Sequence, residues 1–230
     1  MSGTITLRAA QADWLIRAAI VAASKDDVTP VLCAVQWAIA DGRATLTATD
    51  RYRAHQAYAP LVDDDADNPA AGSFLMDRAQ AALLLKMIPR RDPAAKVTLT
   101  WTDAEPLPAG HSGKIAKRHH GTITWLIEGG KGETFMHEAP QVRGNFPPVG
   151  RLFPDEGSTE GEAVAQIGLS PALLADTRWL RSGHGSLRFI VPRTTESVKL
   201  GPMLVVNTEG TARALIQPNV LVGESKRYGA

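Results

Sequence analysis

Residues 29–61, TPVLCAVQWAIADGRATLTATDRYRAHQAYAPL, decide the fold of this chain. Val31, Cys33, Val35 and Trp37 take alternate positions, Asp41-Gly42 offers a tight turn, and residues 44–49 alternate again. A period of two is that of a half-buried strand, and Asp-Gly tolerates the left-handed backbone of a two-residue hairpin turn. A Thr-Asp pair closes the second strand, and residues 52–58 offer a third run whose basic and aromatic side chains leave one face partly wet. The stretch therefore predicts an antiparallel meander.

The flanks predict what the meander packs against. Residues 4–8 read as a short strand, and residues 11–24 as a helix with Trp14, Leu15, Ala18, Val21 and Ala22 on one face. The other side mixes Asp13 and Arg17 with Ile16 and Ile20, so the helix is expected to be covered on both sides. The pattern then starts over. Residues 73–75 form a brief strand and Asp77 caps a helix carrying Leu83, Leu84, Met87 and Ile88. Pro89 and Asp92-Pro93 stop it before a strand at 96–101 and a hairpin of 121–127 with 133–137. A third round has a strand at 164–169, Ser170 as N-cap, Pro171 opening a helix over 171–181, and strands at 186–191, 202–206 and 211–216. Three strand-helix-strands units predict an α+β fold with helices on one face of curved antiparallel sheets. A Pro-, Gly- and acid-rich stretch divides the chain into a first domain at 1–140, a linker at 141–162, a second domain or half-domain at 163–221 and a tail at 222–230.

Composition narrows the function. The 230 residues carry 25 Lys and Arg against 24 Asp and Glu, a net charge of +1. Contact with nucleic acid must therefore come from a local patch and not from the field of the whole molecule. Cys33 is the single cysteine and reads as a small buried hydrophobe in a strand, which suits a reducing cytoplasm. The first 15 residues lack a charged start leading into an apolar core, and no apolar run approaches the ~20 residues of a membrane helix, so neither export nor membrane insertion is expected. The acidic run 63–72 reads as a solvated connector. In the polar stretch 102–121, Lys114, Lys117, Arg118, His119 and His120 form either a phosphate-contacting loop or a solvated hairpin tip. GHSGK is no nucleotide loop, since two residues and not four separate its glycines and Ile115 follows the lysine. Neither zinc spacing, nor a nucleophile elbow, nor a dinucleotide fingerprint occurs, so no catalytic residue, metal or cofactor is assigned.

Three motifs carry a family resemblance. The TPVL strand, Asp-Gly turn and LTATD strand, then GNFPPVGRLFP at 144–154, then ALIQPNVL at 214–221, resemble in that order the bacterial sliding clamp, the beta subunit of DNA polymerase III. The chain is similar to a shortened, phage-like or divergent member of that family. The resemblance implies a processivity factor of DNA replication, not an enzyme: a homo-oligomeric ring that encircles duplex DNA without regard to sequence and tethers a polymerase. An alternative is a non-encircling clamp-fold protein that binds and regulates a replication or transcription partner. Helices line the channel in such rings, which implies DNA contact by Arg17, Lys25, Arg78, Lys86, Arg90, Arg91, Arg178 and Arg181. Polymerase and clamp-loader-type proteins dock by short peptides in a pocket between the linker and the carboxy-terminal strand. The corresponding positions are Leu152, Phe153 and Pro154 with Pro218, Val220 and Leu221. Gln217 stands where the family pattern has Met, which implies a weaker or differently selective site.

Overall fold

A computed structural model describes residues 2–62, 70–102, 121–153, 162–163, 167–191, 193–194 and 201–219. The first unit runs β1 (Gly3–Arg8), α1 (Ala9–Ile20), β2 (Ala34–Ala40), β3 (Arg43–Thr49) and β4 (Arg53–Pro60). The second runs β5 (Gly72–Asp77), α2 (Arg78–Met87), β6 (Lys96–Trp101), β7 (Thr122–Glu128) and β8 (Thr134–Pro140). The third comprises β9 (Glu162–Ala163), α3 (Pro171–Asp176), β10 (Leu187–Ile190), β11 (Arg193–Thr194), β12 (Met203–Asn207) and β13 (Ala212–Ile216). One hydrogen bond marks the repeat. The amide just past each meander donates to a carbonyl three residues before that unit's helix: Val62 to Thr6 at 2.8 Å, Val142 to Leu75 at 2.9 Å and Asn219 to Gly168 at 2.8 Å.

The first two units exchange their leading strands. β1 lies antiparallel on β6 and β5 antiparallel on β2, giving sheets ordered β1-β6-β7-β8 and β10-β12-β13-β4-β3-β2-β5. The longer sheet joins the first and third meanders through β13 and β4, with Ala212 opposite Ala57 and Ile216 opposite Arg53. At the crossover the Trp101 indole lies against Gly3 and Gly72, where a Cβ would sit 2.4 Å and 3.0 Å from the ring. Phe74 stacks on Trp37 at 5.6 Å and tilts against Trp101 at 5.3 Å, so one aromatic run crosses from sheet to sheet.

Alternation explains the core. In β6 and β7 every second residue is buried, and Val97, Leu99, Trp101, Ile123 and Trp125 are sealed from solvent. Eight of the twelve residues of α1 are buried, because both its faces are covered, as its mixed composition predicted. Asp41 and Gly42 both have positive φ, 51° and 68°, the backbone that an Asp-Gly hairpin turn demands. The Asp77 carboxylate accepts from the Ala79 amide at 2.7 Å, which caps α2.

Several expectations are corrected. Residues Pro30–Cys33 form a 3-10 turn and not the first strand residues, since proline at its start fixes φ and withholds a donor from the ladder. Cys33 is consequently half-buried, and its thiol donates to the Asp26 carbonyl at 3.0 Å. Burial first, then Asp77, Asp27 and Asp26, pushes the thiol pKa up, which keeps it protonated and unreactive. The first helix begins at Ala9, because the Gln11 side chain accepts from the Arg8 amide. The third helix is short: Pro171–Asp176 is α-helical, Thr177–Leu180 is a 3-10 turn, and the Ser170 side chain makes no capping bond. Residues 164–166 of the strand expected there lie outside the described residues, as does the basic loop at 114–120.

His55 on β4 is fully buried beneath α1, and its Nδ1–H donates to the Ala18 carbonyl at 2.9 Å. Burial outweighs that bond and lowers its pKa to about 4. The folded state therefore refuses a proton that the unfolded chain binds below about pH 6.5, so this contribution is full above that pH and is lost as pH falls toward 4. In urea unfolding, the advantage of the wild type over His55→Leu should shrink by about 3 kcal/mol between about pH 7.5 and pH 4. An advantage that does not change with pH would contradict this reading.

Candidate nucleic-acid interface and linker pocket

The helical side of the molecule gathers part of the expected basic set. Asp13 on α1 accepts from Arg17 one turn on, Nε to Oδ2 at 2.8 Å and Nη2 to Oδ1 at 3.1 Å. Its Oδ1 also meets Arg90 Nε from the exit of α2, at 2.7 Å. The Arg17 guanidinium lies 5.5 Å from the centre of the Trp179 ring, and Arg178 lies 5.1 Å from the same ring. Arg90, Arg17 and Arg178, drawn from all three units, are thus linked through one carboxylate and one indole. Trp14 adds a neutral tie, its Nε1–H donating to the Arg181 carbonyl at 2.9 Å.

The remaining candidates are placed less uniformly. Lys86, Arg90 and Arg91 line an open cleft with Lys131 and Phe135, and Lys86 and Arg91 are exposed. Arg178 and Arg181 are exposed beside the third helix. Arg78 is half-buried at the start of α2, where the helix dipole disfavours a cation, and its Nε is buried without a hydrogen-bond partner among the described residues. Lys25 follows the end of α1 and lines a separate hollow with Asp26, Asp50 and Arg53. The structure therefore does not bring Lys25 and Arg78 into the Arg17–Arg90–Arg178 group.

The linker candidates also divide. Phe153 is buried in a second apolar cluster with Ala54, Val149, Leu204, Val206 and Leu215, on the sheet face away from the helices. The Arg213 guanidinium caps its ring at 4.3 Å. Leu152, by contrast, is 63 % exposed. Pro218 is buried and Gln217 exposed, its backbone amide held by the Tyr52 carbonyl at 2.9 Å. Pro154, Val220 and Leu221 lie outside the described residues. Phe153 is thus interior packing, and Leu152 is the described linker candidate with surface free for a ligand.

Sequence reasoning missed the groups that organise both places. Asp13 was visible as a partner for Arg17, but its second bond to Arg90 needs α1 and α2 to pack. Trp179 carries no motif and becomes a platform once the third unit folds onto α1. Arg53 escaped notice too. It is nearly buried and bonds Asp50 at 3.1 Å, Asp176 at 2.6 Å and the Val21 carbonyl, tying β4, α1 and α3 together.

This arrangement defines a clamp fold: exchanged strand-helix-strands units, helices on one side and antiparallel sheets on the other. Among solved structures the chain is similar to the DNA polymerase sliding clamp of Bacillus subtilis, with a TM-score of 0.66 and 15 % identity over 95 % of this chain and 64 % of that one. The sliding clamp of Pseudomonas aeruginosa gives 0.67 and 15 % over 95 % and 66 %. The DNA polymerase III beta subunit of Thermotoga maritima gives 0.64 and 12 % over 96 % and 66 %. The chain spans just under two thirds of the length of these proteins. No family model and no curated protein matches its sequence. No helix among the described residues is long and apolar enough to cross a membrane.

The Arg53–Asp176 pair predicts how the third unit is held. Charge-assisted hydrogen bonds of this kind contribute ~1.5–3 kcal/mol, and removing Asp176 leaves a nearly buried guanidinium short of an acceptor. Asp176→Ala should lower the urea midpoint by an amount equal to roughly 1–3 kcal/mol. An unchanged midpoint would show that the pair is ornamental.

Proposed function

We propose that the chain is a sliding-clamp-like processivity factor of cytoplasmic DNA replication, non-enzymatic, which holds duplex DNA on its helical side and tethers a polymerase. The gathering of Arg17, Arg90 and Arg178 from three units on the helical side is the observation that carries this reading. Guanidinium and ammonium groups on rigid helices make phosphate contacts that are independent of sequence and sensitive to salt, which lets a protein slide. The first domain is units one and two, and the 141–162 linker leads to the third unit. Ring closure uses the open edge of β8, which ends its sheet and exposes Phe135 at 48 % and Met136 at 70 %.

One observation favours the regulatory alternative: Asp13 engages two of the guanidiniums and halves the charge they offer to phosphate. A salt titration separates the readings. Lys86→Gln, Arg90→Gln and Arg178→Gln together should weaken duplex binding and reduce the slope of log K against log salt by about 2–3, near 0.9 for each lost phosphate contact. If affinity and slope stay as in the wild type, the helical side is not the DNA face.

Partner peptides are proposed to dock beside the linker, with Leu152 as the exposed apolar contact. In a titration with a clamp-binding peptide, Leu152→Glu should weaken binding by on the order of tenfold, the effect of removing ~1.4 kcal/mol. Undiminished affinity would move the site elsewhere.

A further inference from the structure

In the first two units the outer edge of each meander is covered by the leading strand of the sister unit, six residue pairs long. β5 covers β2 from Ala34 opposite Asp77 to Ile39 opposite Gly72. β1 covers β6 from Lys96 opposite Arg8 to Trp101 opposite Gly3, the same register. The third unit repeats the build, down to the Asn219-to-Gly168 hydrogen bond, yet among the described residues no strand lies on the outer edge of β10. Its helix α3 has no buried residue. Apolar side chains stand in solvent where units one and two bury theirs: Leu174 is 36 % exposed, Phe189 48 %, Ile190 37 % and Val191 41 %.

The ladder shows which way these side chains face. Phe189 sits opposite Val205, a member of the main core on the helical side, and Ile190 sits opposite Leu204, a member of the linker-side cluster. Each face of β10 thus presents an apolar side chain, with Arg188 beside Ile190, at an edge that is open among the described residues. Sheet edges that stay unpaired are blunted by charge, proline or bulges; here Arg188 precedes and Pro192 ends an uninterrupted Phe189-Ile190-Val191 run.

We infer that β10 and α3 form a docking surface for the third unit of a second copy of this chain, related by a two-fold axis. Units one and two show what covers such a surface: the leading strand and helix of a sister unit. Because that exchange is reciprocal, one two-fold operation satisfies both copies at once, with residues 167–170, which lead into α3 of each, lying on β10 of the other. Two chains of three units then contain three complete two-unit domains. The inference rests on the internal repeat of the fold and not on DNA contact.

Light scattering coupled to gel filtration, on the full chain from about 1 to 100 µM, tests it. The wild type should associate through this surface, and Phe189→Glu with Ile190→Lys should halve the mass while far-UV circular dichroism stays unchanged. Leu174→Lys, on the helix and outside the ladder, should act in the same direction and serves if the double variant does not fold. Met136→Lys on β8 should leave this contact intact. A wild type that is monomeric at 100 µM overturns the inference. So does a mass unaffected by the β10 and α3 variants, or an association lost only with Met136→Lys.

Discussion

Everything in this molecule depends on the reciprocal exchange of leading strands between units one and two. A single strand-helix-strands unit has a helix with two apolar sides and a meander with a bare edge, so it cannot bury its own surface. Crossing β1 to β6 and β5 to β2 solves both problems together. Trp101 fixes the crossover: only a residue without a side chain can sit against its ring, and Gly3 and Gly72 provide that from equivalent ends of β1 and β5. α1 is then enclosed between sheet and α2, and the helices are fixed along one side.

That constraint separates what was legible in the sequence from what was not. The meanders were legible because strand alternation and the Asp41-Gly42 turn act over a few residues, and the Asp77 cap was readable for the same reason. The threefold repeat was legible as a rhythm of segments. The exchange itself was not, since it pairs residues roughly 33 to 43 positions apart between β2 and β5 and roughly 88 to 98 apart between β1 and β6, and leaves no local trace. The lost first turn of β2 and the short third helix have the same kind of cause: Pro30 overrode an apparent alternation, and residues 177–180 tightened into a 3-10 turn.

At the candidate site, residue type was readable but partnership was not. Eight basic residues fit the helices of a clamp, yet tertiary packing sorts them. Arg17, Arg90 and Arg178 meet around Asp13 and Trp179, whereas Lys25 and Arg78 do not join them. Likewise Leu152 and Phe153 are neighbours in sequence with opposite fates, one exposed and one sealed under the Arg213 guanidinium. Near-neutral overall charge is compatible with such a design, because the fold brings Arg17, Arg90 and Arg178 together on the helical side.

The central claim is that this fold, built from three units, assembles around duplex DNA. Electron-microscopic imaging of the purified full chain is the most direct measurement. The account predicts closed particles with a central opening lined by the helices. Solid particles without an opening, under conditions where the protein is associated, would contradict it.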